Sequence, residues 1–405
     1  MDNKYIILHK DYPVLSVSLE DYKIDAILKI HSKSRLFPGL YRNQLSKYDV
    51  NDWLFSRGIP SKRKEIKEIL DNNKVESREE LIIKNLGLGV TDYYWIKKEN
   101  DQRTWKEVNF YDNNISEEYN DLYLGISNNK KTKHKGNMIP NPNNGSSGML
   151  PKIWLRENNI LHMLKGSELS IHQEPFNEAV ISNYLDLLHI DHVHYDLVYI
   201  NNRPYSKCAT MLGKNEELVH TYYIMNMSKK DNKISYLDHY INNCTELGIK
   251  NNLRNTLENM LIIDYVSANT DRHWANFGII RDCDTLKAKK AAPLYDNGAS
   301  LFAKFADFEI GEANKNLKCQ SFSGNLDDSL RLVKDLSLLK NKNIEALPDI
   351  INNIFNDKYI YKERKQKILY YTKMRISDAQ KRLMNYYKNE KTHIDNIDLK
   401  FNKGY

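Results

Sequence analysis

The chain has 405 residues, of which 28% are charged and 41% hydrophobic, and its formal net charge at pH 7 is +7. This length suits two or three domains that each bury a core, and the composition excludes a disordered chain. The mild positive charge favours an anionic ligand such as a nucleotide, but it is too small to indicate a nucleic-acid-binding surface. We therefore expect no direct contact with nucleic acid.

Cysteine usage argues against a disulfide-rich or zinc-binding protein, and hydropathy argues against a secreted or membrane protein. The four cysteines are scattered, with no CxxC pair and no histidine at ligand spacing, which argues against a zinc site and against a disulfide framework. The first residues carry only a short apolar run, unlike a signal peptide, and no stretch approaches the roughly 18 apolar residues of a membrane helix. These features predict a cytoplasmic protein that binds no membrane.

Residues 1–125 are predicted to form an N-terminal accessory domain. Alternating apolar residues predict strands around Tyr5–Leu8 and Val14–Leu19, and the segment Asn51–Leu70 is predicted to be helical. Three large aromatic residues are expected to close a small core: Trp95, Trp105 and Phe110. The region holds no catalytic constellation, so the sequence assigns it no role.

The next segment, residues 126–144, is polar and rich in asparagine, proline and glycine, which is the composition of a linker. After it, the pattern of apolar residues and turns predicts two strands, a helix and two further strands. Their expected positions are Lys152–Arg156, Ile160–Lys165, Pro175–Leu188, Val193–Ile200 and Tyr205–Met211. This is the order of elements in the small lobe of a protein kinase.

The remainder of the chain is predicted to be mostly helical. Leucines recur every four residues from Leu253 to Leu261 and predict a buried helix that ends just before Asn269. Two short strands are predicted next, at Phe277–Arg281 and Lys287–Leu294. Residues 327–388 are again mostly helical, whereas residues 389–405 lack a core pattern and are expected to form a flexible tail.

The most informative motif lies directly after the leucine-rich helix. The run Asn269–Asn276 reads NTDRHWAN, and Asp296 follows Asp271 by 25 positions in the segment APLYDNG. An aspartate, an asparagine five residues later and a second aspartate after two short strands form the arrangement that phosphoryl transfer needs. The first acid positions a hydroxyl nucleophile, while the asparagine and the second acid hold Mg²⁺ against the nucleotide phosphates.

A purely structural interpretation of these residues is that Asp271 caps a turn and that Asp296 opens an Asn-Gly turn. It fits each residue separately, but it does not explain why both acids lie at the ends of the most apolar elements in the C-terminal half. Acids held at the ends of buried elements are pre-positioned, as a metal site requires. His273 stands where a side chain could contact the transferred phosphate, and a packing role suits it equally well.

A nucleotide-binding set is predicted upstream of this motif. Gly145–Lys152 reads GSSGMLPK, in which glycine lets the backbone approach phosphate oxygens and the small hydroxyls do not block that approach. Lys165 ends a predicted strand, and Glu178, thirteen residues later, could hold its ammonium group in an ion pair. Each of these residues alone would more often be a surface group, but their joint order favours a site. The predicted cofactor-binding residues are Ser146, Ser147, Gly148, Lys152, Lys165, Glu178 and Met211.

Taken together, the motifs resemble those of the HipA-like serine/threonine kinases. The resemblance rests on GSSGMLPKIW, EPFNEAV, NTDRHWANFG and APLYDNG, which occur in the order of that family's glycine loop, helix start, catalytic loop and metal aspartate. It covers about residues 145–385. It implies an α+β, two-lobed protein-kinase-like fold, with a small β-rich lobe at residues 145–211, a larger helical lobe at residues 212–388 and an N-terminal accessory domain.

The same resemblance implies ATP and Mg²⁺ as cofactors and a protein hydroxyl as the phosphate acceptor. By position, it assigns the catalytic base to Asp271, with His273 beside it. It assigns the metal ligands to Asn276 and Asp296, and the phosphate-binding lysine to Lys165.

Regulation and partners are less well defined by the resemblance. Ser146 and Ser147 would be candidates for an autophosphorylation that in this family can move the loop outward and inactivate the kinase, although Leu150 stands where many members have a polar residue. Residues 1–125 do not match the small N-terminal domain of the best-known toxins, and they are similar to an N-terminal extension of some Firmicute HipA-like proteins. The protein substrate is thus not identified, and an antitoxin or regulatory partner stays open.

Two other functions are compatible with parts of the sequence. A phosphoinositide-type lipid kinase is the main alternative, because DRHWAN is similar to the DRHxxN loop of that family. Such an enzyme needs a basic, apolar segment that faces the membrane, and residues 299–320 offer apolar residues but mixed charge. A nucleotide-binding pseudokinase or adaptor is the third reading of the chain, and the intact Lys165, Asp271, Asn276 and Asp296 count against it. We therefore favour an active protein kinase.

Overall fold

The computed structural model describes residues 3–37, 45–126, 140–167, 172–249 and 252–401, with side chains described as far as residue 385. Within these residues the strands form two four-stranded sheets and one three-stranded sheet. No helix in the described part of the chain combines the length and the apolar character that a membrane span needs.

The N-terminal region is built on an antiparallel sheet in the order β3-β2-β1-β4. Its strands are β1 (Lys4–His9), β2 (Tyr12–Glu20), β3 (Lys23–Ile30) and β4 (Tyr94–Lys98). Its helices are α1 (Lys47–Phe55), α2 (Ile66–Asn73), α3 (Arg78–Lys84), α4 (Trp105–Val108) and α5 (Asn120–Tyr123). The two strands that the alternating pattern predicts are both present, as β1 and β2.

The predicted helix over Asn51–Leu70 is wrong in its middle. The helix α1 ends at Phe55 and α2 begins only at Ile66. Pro60 explains the break, because it lacks a backbone N–H and disfavours helical geometry at the residue before it.

The expected aromatic core of the N-terminal region is present. Trp95, Trp105 and Phe110 are all buried in one cluster. That cluster also contains Leu161 and Cys283, which lie far along the chain. The N-terminal region therefore shares its core with the rest of the molecule.

The second sheet belongs to a small lobe and has the order β5-β6-β8-β7. Its strands are β5 (Lys152–Glu157), β6 (Ile160–Lys165), β7 (Asp196–Ile200) and β8 (Arg203–Ala209), and the helix α6 (Gln173–Leu188) lies between β6 and β7 in sequence. The predicted order of strands and helix is thus present. Asn158 and Asn159 close the first hairpin with φ of 49° and 63°, a left-handed pair that asparagine tolerates better than most residues.

The predicted linker at residues 126–144 is corrected at its C-terminal end. Pro142–Gly145 form a short 3₁₀ helix, and the side-chain oxygen of Asn143 accepts a hydrogen bond of 2.6 Å from the backbone N–H of Trp154. Residues 140–144 therefore pack against the small lobe, whereas residues 127–139 lie outside the described part of the chain.

The large lobe contains the three-stranded sheet and most of the helices. The sheet has the order β11-β10-β9, formed by β9 (Glu216–His220), β10 (Gly278–Asp282) and β11 (Ala288–Ala291). The α-helices are α7 (Thr221–Met225), α8 (Tyr236–Glu246), α9 (Leu253–Val266), α10 (Ile310–Ala313), α11 (Leu326–Arg331), α12 (Leu347–Ile354) and α13 (Lys362–Phe401). Two 3₁₀ helices lie at Ser337–Lys340 and Lys342–Ala346.

Two details of the large lobe differ from the sequence prediction. The strand β9 was not expected, because the chain after Met211 was predicted to turn directly to helix. The backbone of α13 is helical as far as Phe401, past residue 388, where the flexible tail was expected to begin.

The core that positions the site joins the two lobes. Phe176, Val180 and Tyr184 of α6 are buried in the same cluster as Ile262 and Val266 of α9. The helix that carries Glu178 therefore shares its core with the helix that precedes the Asn269–Asn276 loop.

Candidate active site

Three predicted site residues meet where the two lobes face each other. Lys165 ends β6 and is only 4% exposed. Its ammonium group donates to Oε1 of Glu178 at 2.9 Å and to Oδ1 of Asp296. The second oxygen of Glu178 accepts a hydrogen bond of 2.8 Å from the backbone N–H of Asn297. Glu178 thus holds both the lysine and the loop that carries Asp296.

The charged groups of this cluster change one another's pKa values. Burial by itself raises the pKa of Asp296, but Lys165, Lys152 and Arg272 outweigh burial and lower this pKa to about 2. Burial also opposes the charge of Lys165, yet the carboxylates of Asp296 and Glu178 raise its pKa. The pKa of Glu178 is raised, chiefly by burial. Asp296 is therefore an anion at neutral pH, which a metal ligand must be.

The Asn269–Asn276 loop is folded by its own polar groups. The side-chain oxygen of Asn269 accepts from the backbone N–H of Asp271 at 3.1 Å, and the backbone oxygen of Asp271 accepts from Nδ2 of Asn276 at 2.8 Å. The Asp271 carboxylate pairs with Lys304 at 2.8 Å, and both side chains are partly exposed. Nδ1 of His273 accepts from the backbone N–H of Ala275 at 3.2 Å. In a neutral ring this leaves Nε2–H of His273 as a donor.

Arg272 is a central residue that the sequence argument did not single out. It is fully buried and pairs with Asp264 of α9. It also donates to the backbone oxygens of Asn276 and Tyr295 and to the side-chain oxygen of Asn297. The two motif loops are thus tied together by one guanidinium. The sequence does indicate that such a partner exists. Asp264 is the lone acid within the apolar run LIIDYV, and a buried carboxylate needs a partner such as Arg272.

The glycine loop lies over a lysine. Gly148 has φ of +90°, and a Cβ there would come within 2.7 Å of Nζ of Lys152. Ser147 and Gly148 are exposed, whereas Ser146 is buried and donates to the backbone oxygen of Pro142 at 3.2 Å. Burial and the nearby Lys165 and Arg63, only partly offset by Asp296, lower the pKa of Lys152 to about 7.

These residues line one cleft with a volume of about 940 Å³. The predicted Ser146, Ser147, Gly148, Lys152, Lys165, Met211, Asp271, His273, Asn276 and Asp296 all belong to its walls. Glu178 does not line the cleft. It lies behind the wall and is hydrogen-bonded to Lys165 and to the backbone of Asn297. This volume lies within the range of about 300–1,000 Å³ that is usual for small-molecule sites.

The N-terminal region forms part of the same cleft, which its sequence did not indicate. Its contribution to the wall is Phe37, Trp53, Ser56, Arg57, Gly89, Val90, Thr91, Asp92 and Tyr94. Arg57 is fixed there by two hydrogen bonds to Asp92, at 2.7 and 2.8 Å. Gly145 approaches this region so closely that a Cβ would lie 2.7 Å from the backbone oxygen of Leu88. The glycine loop is therefore seated on the N-terminal region.

A second buried network fixes the N-terminal region to the large lobe. Nε2 of His9 lies 3.1 Å from Glu217, and Nε of Arg281 donates to Glu217 at 2.5 Å. Nδ1 of His9 accepts from Arg35 at 2.8 Å, and Arg281 also donates to the hydroxyl of Tyr94 at 3.0 Å. Burial raises the pKa of Glu217, but Arg281 and His9 outweigh it and lower the pKa to about 2.

The donor atoms in the cleft suit Mg²⁺ and a polyphosphate. Because Nδ2 of Asn276 donates to Asp271, the side-chain oxygen of Asn276 is the atom that can bind a metal. Asp296 uses Oδ1 toward Lys165 and has a second carboxylate oxygen for the same purpose. Oxygen ligands of this kind are those that Mg²⁺ prefers. The ammonium groups of Lys152 and Lys165 match the charge of phosphate groups.

Comparison with known proteins yields likeness in structure only. No protein-family model matches the chain, and no curated protein matches it. The chain is similar to the proinflammatory kinase CtkA of Helicobacter pylori, with a TM-score of 0.48 and 20% identity over 58% of this chain and 95% of that one. It is also similar to a chain of the HipA, HipB and operator DNA toxin–antitoxin complex of Shewanella oneidensis MR-1. The second match has a TM-score of 0.54 and 11% identity and covers 93% of this chain and 97% of that one. The α+β, two-lobed kinase-like fold predicted from the sequence is confirmed.

Proposed function

We propose that this chain is a HipA-like serine/threonine protein kinase that transfers the γ-phosphoryl group of ATP to a protein hydroxyl in the presence of Mg²⁺. The observation that carries the proposal is the meeting of Lys165, Glu178 and Asp296 in a cleft that Asp271 and Asn276 also reach. The fold by itself does not establish an activity. The proposal therefore rests on the chemistry of these side chains.

Each residue has a role in the proposed transfer. The acceptor hydroxyl oxygen bonds to the γ-phosphorus, the bond from that phosphorus to the bridging oxygen breaks, and ADP leaves. Asp271 accepts the proton of the hydroxyl, while Lys165 holds the phosphates. Asn276 and Asp296 would hold Mg²⁺, which would supply positive charge beside the phosphate oxygens. Lys304, now paired with Asp271 at 2.8 Å, is placed to neutralise the transferred group.

Self-inhibition through the glycine loop belongs to the proposal as well. A phosphate adds about two negative charges, which would repel a nucleotide and favour an outward loop. Ser147 is exposed and accessible to such a modification, whereas Ser146 is buried and bonded to Pro142. We therefore favour Ser147 as the first acceptor. A regulatory partner of antitoxin type is proposed only because HipA of the Shewanella complex is solved with HipB.

The test is incubation of the full chain with labelled ATP and Mg²⁺, followed by mass spectrometry of the protein and of a cell lysate. We expect phosphoserine or phosphothreonine in the lysate and a shift of one phosphate on the chain, mapped to Ser147. Asp271→Asn serves as the matched inactive control. Label that appears on phosphoinositide vesicles but not on protein would favour the lipid kinase. ATP binding without any transfer would favour the adaptor.

A further inference from the structure

We infer that Asp186, His192 and His194 form a binding site for a zinc-like divalent cation, separate from the cleft. Their candidate ligand atoms all lie within 4.8 Å of one another. Asp186 lies near the C-terminal end of α6, and the two histidines lie in the segment between α6 and β7. None of the three is among the residues that line the cleft. The proposed transfer reaction does not use them, so this inference stands apart from it.

The hydrogen bonds of His192 present one lone pair to the cluster. Nδ1 of His192 lies 2.8 Å from the backbone oxygen of Ile190. A carbonyl oxygen only accepts, so Nδ1 carries the proton and Nε2 of the neutral ring keeps its lone pair. Nε2 faces Asp186 at 3.6 Å and the hydroxyl of Ser182 at 3.2 Å. A backbone carbonyl that fixes the tautomer in this way is the usual outer partner of a metal-bound histidine.

His194 presents the opposite nitrogen, Nδ1, to the cluster. Nδ1 lies 3.1 Å from Oδ2 of Asp186 and 3.3 Å from the hydroxyl of Ser182, which contacts both rings. Nε2 lies on the other side of the ring, 3.5 Å from Oδ1 of Asp196. In the tautomer with the proton on Nε2, the lone pair of Nδ1 faces Asp186, and a cation could be bound by these two atoms.

The spacing of the ligand atoms suits a small tetrahedral ion. Ligands at about 2.0–2.2 Å from tetrahedral Zn²⁺ lie about 3.3–3.6 Å from one another. Oδ2 of Asp186 lies 3.1 Å from Nδ1 of His194 and Oδ1 lies 3.6 Å from Nε2 of His192, and all candidate ligand atoms of the three residues lie within 4.8 Å. Two imidazoles and one carboxylate leave a fourth position for water, and imidazoles select zinc-like ions over Mg²⁺ and Ca²⁺. Asp186 and His194 are 52% and 55% exposed, so an ion can reach them from solvent.

A bound ion would join the end of α6 to the chain that forms the floor of the cleft. The backbone N–H of Val193 donates to Leu294 at 2.8 Å, and that of Leu294 donates to Asp191 at 3.0 Å. The hydroxyl of Tyr195 accepts from the backbone N–H of Asp296 at 3.4 Å. The ion would thus stiffen the segment against which the metal-binding aspartate of the cleft is held. We assign it a structural role, because it touches no reacting group.

The scattered cysteines, which argue against a zinc site, do not bear on this histidine pair. The spacing His192-x-His194 puts both rings on the same side of an extended segment, since side chains alternate along it. Asp186, six residues earlier, is brought to them only by the turn that follows α6. The constellation therefore became visible only in three dimensions.

The test is titration of the untagged full chain with Zn²⁺ by calorimetry, in excess Mg²⁺ to occupy hard oxygen sites. We expect one Zn²⁺ per chain and a rise in melting temperature, because an ion that binds only the folded state stabilises it. In His194→Ala the affinity should fall at least about 10-fold and the rise in melting temperature should vanish. Co²⁺ in place of Zn²⁺ should give the strong visible absorption of a tetrahedral site in the wild type only.

Two further variants, His162→Ala and Asp186→Asn, test whether zinc binds at this cluster. His162→Ala removes an imidazole on β6 that is not in the cluster and should leave zinc binding unchanged. Asp186→Asn, an exposed change that should not affect folding, should weaken binding as His194→Ala does. Equal zinc affinity in the wild type, His194→Ala and Asp186→Asn would overturn the inference. Absence of a zinc-binding step in the wild type would do the same and would leave the cluster as a plain histidine–aspartate ion pair.

Discussion

The cleft cluster of Lys165, Glu178 and Asp296 and the interface cluster of His9, Glu217 and Arg281 use the same kinds of side chain. In the interface cluster the side chains of His9, Glu217 and Arg281 are 0%, 1% and 6% exposed. In the cleft cluster the side chain of Asp296 is 35% exposed, and Lys152 lies nearby as an additional cation.

This difference in exposure distinguishes a cluster that can bind a ligand from one that holds two regions of the protein together. The interface cluster is almost fully buried and holds two parts of the protein in one arrangement, although Glu217 and Arg281 border the cleft. The cleft cluster has an accessible carboxylate and a second lysine beside it, which suit a metal ion and an anion. The interface cluster therefore positions the N-terminal wall of the cleft, whereas the cleft cluster holds the side chains on which the proposed transfer rests.

The largest expected effect comes from Asp271→Asn in the cleft. We expect phosphoryl transfer to fall by about 10²–10⁴-fold, because the proton acceptor is lost, while ATP–Mg²⁺ affinity is retained. Asp296→Asn should instead weaken Mg²⁺-dependent ATP binding, because a charged ligand of a hard cation is lost. Transfer assays with labelled ATP and calorimetry measure the two effects. Equal ATP–Mg²⁺ affinity in both variants would show that this division of roles is wrong.

Mutations in the interface cluster should lower the stability of the protein more than its rate of phosphoryl transfer. Glu217→Gln leaves Arg281 buried without its anion, and we expect the free energy of unfolding to fall by about 3–5 kcal/mol. Denaturant titration measures this loss. The matched variant is Glu178→Gln, which releases Lys165 in the cleft and should lower the transfer rate more than Glu217→Gln does. The reverse ranking would remove the distinction between the two clusters.

Acid should weaken the interface cluster in a defined range of pH. The pKa of Glu217 is lowered from 4.5 to about 2 in the folded protein. Its contribution to stability is therefore full above about pH 4.5 and is lost as pH falls toward 2. Unfolding free energies measured across this range should fall less steeply for Glu217→Gln than for the wild type. Parallel pH profiles would contradict the ion pairing.

A smaller effect is expected from Lys152 in the cleft. Its pKa of about 7 means that the side chain is partly neutral in the free protein near pH 7. Phosphate groups raise this pKa again, so nucleotide binding should take up about half a proton at pH 7 and weaken as pH rises above 7. Calorimetry in two buffers of different ionisation enthalpy measures the uptake. Lys152→Met should abolish it, and uptake that persists in this variant would assign the proton to another group.

Much of the small lobe follows from local sequence. The turn at Asn158 and Asn159 and the alternation on either side define the β5–β6 hairpin without help from the rest of the chain. The apolar spacing from Leu253 to Leu261 likewise defines α9, because a buried helix repeats its apolar face every three to four residues. The order of Lys165, Asp271 and Asp296 along these elements predicts that they converge, and all three line one cleft.

The strand β9 and the N-terminal wall of the cleft depended on contacts between distant segments. Glu216–His220 is too short for a clear period, and it pairs with β10 while Leu218 donates to the backbone oxygen of Thr91 at 2.8 Å. Arg57 and Asp92 reach the cleft because contacts between distant segments, the interface cluster among them, hold the N-terminal sheet against the large lobe. The amino-acid sequence by itself determined the local elements and the order of the residues that line the cleft. Tertiary packing decided which charges are sealed and which stay accessible, because exposure depends on neighbours that local sequence does not specify.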